Sequence, residues 1–213
     1  MNKLIDISRP GLLIIFLLLI CDVPLWAQAP ETWRGFNGTW RINEELSDDT
    51  DRQVEISIRE AGGRPPKTAR KGKGRYRGGP PEHALYDHIS YDDYLNFMYT
   101  PPEFRLVYDQ GFQRIFHSDN RKRVVSASGT VAGDNQDFSF ASWDGNTLIV
   151  ESRVRDNGWT LERYELLNEG LQLRAILQLN PSSFALPINI IRIYDKVLDG
   201  EEPVTDGTPA LSD

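Results

Sequence analysis

Cysteine is nearly absent. The single one, Cys21, sits in the N-terminal stretch, so nothing further along can form a disulfide within the chain or act as a thiol nucleophile. Histidine is scarce as well, with only His83, His88 and His117. His88 and Asp92 have helical i, i+4 spacing, with Asp87 beside them, but nothing supplies an obvious third and fourth ligand, so no metal or other cofactor is expected. There is no Gly-x-Ser-x-Gly elbow, and acidic pairs such as Asp92-Asp93 read as solvated faces. Long apolar runs are missing too. The longest, Gly11 to Ile20 (GLLIIFLLLI), falls well short of the ~20 residues a helix needs to cross a bilayer.

That short run has a context. Lys3 and Arg9 precede it and the small or polar stretch CDVPLWAQA follows, the three-part layout of a secretory signal. Cleavage is expected after Ala27, with Ala29 as the alternative because Pro30 would follow it directly. The mature chain, Gln28 to Asp213, would then be secreted or periplasmic and would fold in an oxidising compartment without disulfides. Ile20 stands before Cys21 where a lipidated cysteine wants a small residue, so no lipid anchor is expected.

The net charge of −7 is unevenly spread. Arg64, Lys67, Arg70, Lys71, Lys73, Arg75 and Arg77 form a basic island with no acid among them. The tail beyond Leu198 has acids and no base. The Gly/Pro-rich insertion 62–81 that carries the island, and the tail 198–213, have little to bury and read as disordered.

From Glu103 onward, apolar residues alternate with period two, as in half-buried strands. Leu171, Leu173, Ala175, Leu177 and Leu179 share one face; Leu148, Val150 and Val154 share another, and Phe112 and Phe116 a third. Turn signals such as Asp144-Gly145-Asn146, Asp156-Asn157-Gly158 and Asn168-Glu169-Gly170 separate the runs. The pattern predicts eight strands between Glu103 and Asp195, plus one near Gly38 to Asn43. A change of phase between Leu161 and Tyr164 predicts a bulge. Asp48 to Asp51 could cap a helix reaching Ala61 and ended by Gly62-Gly63, although Val54, Ile56 and Ile58 also alternate as a strand would. Residues 82–99 read as a helix stopped by Pro101-Pro102. Its aromatic residues, Tyr91, Tyr94 and Phe97 with Tyr86 and Tyr99, would form a lid or pack the helix onto the sheet.

Gly38-Thr39-Trp40 resembles the Gly-x-Trp of the first strand in lipocalin-like, calycin-type barrels. The resemblance implies that Trp40 plugs one end of a barrel and that an arginine of the last strand, here Arg192, lies across its ring. With NTLIVESR, ERYEL and RIYDK, the chain is also similar to small secreted bacterial proteins that open on Gly-Thr-Trp. The expected fold is one all-β domain, residues 28–197, an antiparallel up-and-down barrel with a flanking helix; the alternative is a β-sandwich.

The function expected from this is non-enzymatic binding, with a small hydrophobic or amphipathic ligand inside the barrel. The same inner faces could instead meet as a solid core. An alternative is an envelope protein whose basic island meets anionic lipid or lipopolysaccharide; nucleic acid is not an expected partner. A hydrolase or isomerase would need a polar cleft, and the sequence displays none.

Overall fold

Hairpins set the architecture. Gly145 turns one strand into the next with a φ of +57°, and the positive-φ run Asn168, Glu169, Gly170 makes another such turn. The computed structural model describes residues 31–65, 84–119, 123–125, 137–154 and 157–198. Ten strands follow in order: β1 (Gly38–Ile42), β2 (Tyr94–Thr100), β3 (Glu103–Tyr108), β4 (Gln113–His117), β5 (Arg123–Val125), β6 (Asp137–Asp144), β7 (Thr147–Arg153), β8 (Trp159–Leu167), β9 (Gln172–Asn180) and β10 (Ile188–Lys196). They form one sheet in the order β4-β3-β2-β1-β10-β9-β8-β7-β6-β5, every pairing antiparallel. β4 comes round against β5 and β6, so the sheet rolls into a nearly closed barrel. Among the described residues no hydrogen-bonded ladder joins β4 to β5.

The eight strands expected beyond Glu103 are all present. The ninth and tenth are β1 and β2, and β2 corrects the sequence reading. The helix expected over residues 82–99 stops early: α2 spans Ala84–Tyr91, and the chain then enters β2. Leu95, Phe97 and Tyr99 are buried while Met98 is exposed, which is period two and not a helical stripe. Pro101-Pro102 is the turn of the β2–β3 hairpin, since Thr100 pairs with Glu103.

The stretch left open between helix and strand is a helix, α1 (Thr50–Glu60). The Asp49 carboxylate accepts the Arg52 N–H at 2.9 Å, satisfying one of the free donors of the first turn. Gly62, at a φ of +80°, ends it, with the Gly62 and Gly63 N–H groups donating to the Arg59 and Ile58 carbonyls. Both helices lie in the connection from β1 to β2. Ser57 donates to the Leu186 carbonyl and Thr50 to the Ser90 carbonyl, tying α1 to the β9–β10 loop and to α2.

The bulge expected near Leu161 is absent. β8 pairs without interruption, with β9 from Trp159 opposite Asn180 to Leu167 opposite Gln172 and with β7 from Trp159 opposite Arg153 to Tyr164 opposite Leu148. Thr160 and Glu162, polar residues in inward positions, account for the break in the apolar pattern.

Candidate ligand site

A barrel of eight strands has an interior about wide enough for side chains to fill. Ten strands leave more room, and aromatic rings occupy much of it. Phe36 meets Phe97 at 5.4 Å and Trp143 at 5.4 Å between ring centroids. Trp143 on β6 reaches Tyr99 and Phe104, on β2 and β3, at 5.9 and 5.8 Å. Phe97 on β2 meets Tyr164 on β8 at 6.1 Å, directly across the barrel. Inward side chains from Phe97 to Leu177 on these strands are largely withdrawn from water, with Tyr164 only 2% exposed. The interior is bridged by side-chain contacts, as the solid-core alternative expects.

A polar cluster lies among these rings. Arg114 on β4 points inward between Phe112 and Phe116, and Glu162 on β8 points inward between Thr160 and Tyr164. The two meet as a bidentate pair, with Nη1 to Oε2 at 2.7 Å and Nη2 to Oε1 at 2.8 Å, the fork geometry that suits guanidinium and carboxylate. Both side chains are fully buried. Thr160 and Tyr164 also donate to Glu162, at 2.9 and 2.6 Å. Arg114 donates to the Tyr108 hydroxyl and to Ser152 Oγ, both at 3.0 Å, and Ser152 lies 2.6 Å from Ser139 Oγ. Five strands, β3, β4, β6, β7 and β8, thus converge on one buried cluster. The one member without a hydrogen-bond partner is Arg114 Nε.

Burial alone would lower the Arg114 pKa; the facing Glu162 carboxylate holds it well above the usual arginine range. Burial raises Tyr108, Arg114 opposing, and raises Tyr164, where the Glu162 charge adds to the effect. Tyr194 is raised by burial as well, against the pull of Arg192. Each tyrosine therefore ionises in the unfolded chain, near pH 10, before it does so in the barrel. The stability these groups contribute is intact below pH 10 and falls as the pH rises beyond it, by about 1.4 kcal/mol per pH unit for each. Alkaline unfolding followed by phenolate absorbance should show these tyrosines ionising together with loss of structure. Ionisation of all tyrosines in the intact fold would contradict their burial.

The sequence missed this cluster, although a signal was there. Arg114, Ser152, Thr160 and Glu162 each fall in phase with apolar inward positions, and a polar residue in such a phase is either an error of register or a buried functional group.

The residues singled out from sequence are placed differently. Trp40 is fully buried, and its Nε1 donates to the Phe36 carbonyl at 2.8 Å. The cation over its ring is not Arg192 but Lys196, whose Nζ lies 5.1 Å from the ring centroid. Register explains the correction: Trp40 pairs with Lys196 and Ile42 with Tyr194, so Arg192 lies beyond the end of β1. Arg192 points inward instead, donates to the Ser90 and Asp92 carbonyls, and lies 5.4 Å from the Tyr194 ring. It fastens the end of α2 to the barrel. Gly38 begins β1 at a φ of +133°, a conformation that disfavours any side chain.

Tyr91, Tyr94 and Phe97 do not share a helix face. Tyr91 donates to Asp51 at 2.7 Å and ties α2 to α1, Tyr94 begins β2, and Phe97 is core. His88 Nδ1 lies 2.6 Å from Asp92 Oδ2, and the His88 ring stacks on Phe112 with centroids 4.1 Å apart. His117 faces Glu103 at 3.7 Å. Among the described residues no three His, Cys, Asp or Glu side chains gather as metal ligands, and no helix is long and apolar enough to cross a membrane. Arg64 is exposed; Lys67, Arg70, Lys71, Lys73, Arg75 and Arg77, with His83, the N-terminal run and the acidic tail, lie outside the described residues.

No family model and no curated protein matches the chain. Solved structures of similar shape do. Secretory abundant heat soluble protein 4 from Ramazzottius varieornatus is 13% identical, with 80% of this chain and 99% of that one covered and a TM-score of 0.47. A point mutant of the REP1-NXSQ fatty acid transporter is 11% identical, over 77% and 99% of the chains, with a TM-score of 0.45. Zebrafish ileal bile acid-binding protein complexed with cholic acid is 11% identical, over 76% and 99%, with a TM-score of 0.43. At such identities and scores these likenesses pass neither a ligand nor a family to this chain.

Proposed function

We propose that this chain is a non-enzymatic binding protein that takes a small amphipathic or hydrophobic molecule into its barrel. The observation that carries this reading is the buried Arg114–Glu162 centre beside the seam between β4 and β5, where no ladder forms among the described residues. Desolvating two charges costs several kcal/mol per ion, and an apolar pair of the same size would serve the fold as well or better. Such a group beside the aromatic interior is the arrangement of a ligand site, a few converging polar groups among hydrophobic walls. Because Arg114 sits on β4, parting of the seam would open the wall next to that centre, and the surrounding rings would have to yield space. Catalysis fits less well, since the Glu162 carboxylate is saturated with hydrogen bonds. Export through residues 1–27 to a secreted or periplasmic location belongs to the same reading, as the layout of that segment and the resemblance to small secreted bacterial proteins imply.

Two measurements test it. Native mass spectrometry of chain gently extracted from its host should show a co-purified small molecule and an N-terminus at Gln28. Amide exchange should be faster in β4 and β5 than in β9, and slower once a hydrophobic fluorescent probe is bound. A chain that is always empty and binds no such probe would sink the proposal.

A further inference from the structure

The chemistry of the polar centre narrows the ligand, on the reading that the barrel binds one. Its hydrogen-bonding capacity is almost used up. Glu162 accepts four hydrogen bonds, two from Arg114 and one each from Thr160 and Tyr164, which fills the sites a carboxylate offers. Arg114 has five N–H donors. Two go to Glu162, one to Tyr108 and one to Ser152, leaving Nε alone without a partner. The charges cancel within the pair. A ligand that carried a carboxylate to this place would lose its own hydration and would meet a guanidinium already neutralised, with the Glu162 carboxylate immediately behind it. A ligand with one uncharged oxygen would give Nε the single acceptor it lacks, at no such cost in desolvation.

We infer that the barrel selects neutral amphiphiles bearing a hydroxyl or carboxamide head, and discriminates against fatty carboxylates of the same length. The head group takes its place at Arg114 Nε. Glu162 is the specificity-determining residue: it cancels the arginine that would otherwise attract an acid.

Matched probes decide the matter. Hexadecanol, hexadecanamide and hexadecanoate are titrated into the full chain at neutral pH and read by native mass spectrometry and by the rise in melting temperature. The alcohol and amide should bind, and the carboxylate should bind roughly tenfold or more weakly, a difference of about 1.4 kcal/mol. Glu162→Gln frees the arginine and should reverse the order, with hexadecanoate now raising the melting temperature of the variant most. The double variant Arg114→Met with Glu162→Leu removes Nε along with both charges, so it should lose the preference for hexadecanol over hexadecane; it serves if Glu162→Gln does not fold, and an unchanged preference would overturn the inference. Hexadecanoate binding the unaltered protein as tightly as hexadecanol would overturn the inference while leaving the binding proposal standing. Failure of all three probes would overturn both.

Discussion

Glu162→Ala should destabilise the protein by about 3–5 kcal/mol, because it leaves the Arg114 guanidinium buried and unpaired. The fold offers it little relief. Both side chains are wholly inside the barrel, and the remaining partners of Arg114, the Tyr108 and Ser152 oxygens, are neutral. Tyr164 and Thr160 would lose the acceptor of their hydroxyl hydrogens at the same time. Arg114→Ala should be comparably harmful by leaving the carboxylate alone. The informative outcome is the pair taken together. Arg114→Met with Glu162→Leu should recover most of the loss, and could exceed the parent by about 1–4 kcal/mol, since the desolvation of two ions is then avoided. Urea unfolding with a two-state fit would measure all three. A double variant as unstable as the sum of the singles would mean that the pair holds the barrel together, and would remove the main reason to read it as a ligand site.

Trp40→Ala should cost about 3–5 kcal/mol, the range for deleting a large buried ring from a packed interior. Trp40 is fully buried beneath Phe36, whose carbonyl takes its indole N–H. Trp40→Phe keeps most of the volume but leaves that carbonyl unpaired, and should cost about 1–3 kcal/mol. The two candidate cations can be told apart by double-mutant cycles. Lys196→Ala should be non-additive with Trp40→Ala by about 0.5–1 kcal/mol, in keeping with an ammonium 5.1 Å from the ring. Arg192→Ala should be additive with it, because Arg192 serves the end of α2. Coupling of Trp40 to Arg192 in place of Lys196 would contradict the register of β1 on β10.

The helix read over residues 82–99 shows how local pattern misleads. Leu85, Ile89, Leu95 and Met98 fit a helical stripe, and nothing within that segment says where the helix stops. Pairing with β1 and β3 decides it, because Leu95, Phe97 and Tyr99 find inward positions only as a strand. The expected bulge in β8 had the same origin in reverse. The alternation is intact, and the inward glutamate that interrupts its apolar pattern faces an arginine 48 residues earlier in the chain.

The strands beyond Glu103 and their turns could be read from the chain alone, since alternation and turn chemistry are local properties of a few neighbouring residues. They left barrel and sandwich open, and the barrel with its buried Trp40 was what the resemblance of Gly38-Thr39-Trp40 to lipocalin-like barrels implied. Which cation covers Trp40, where α2 yields to β2, and the meeting of Arg114 with Glu162 were decided only by the tertiary structure. These depend on register between strands and on contacts across a closed wall, and a one-residue shift of register would exchange every inward side chain for an outward one.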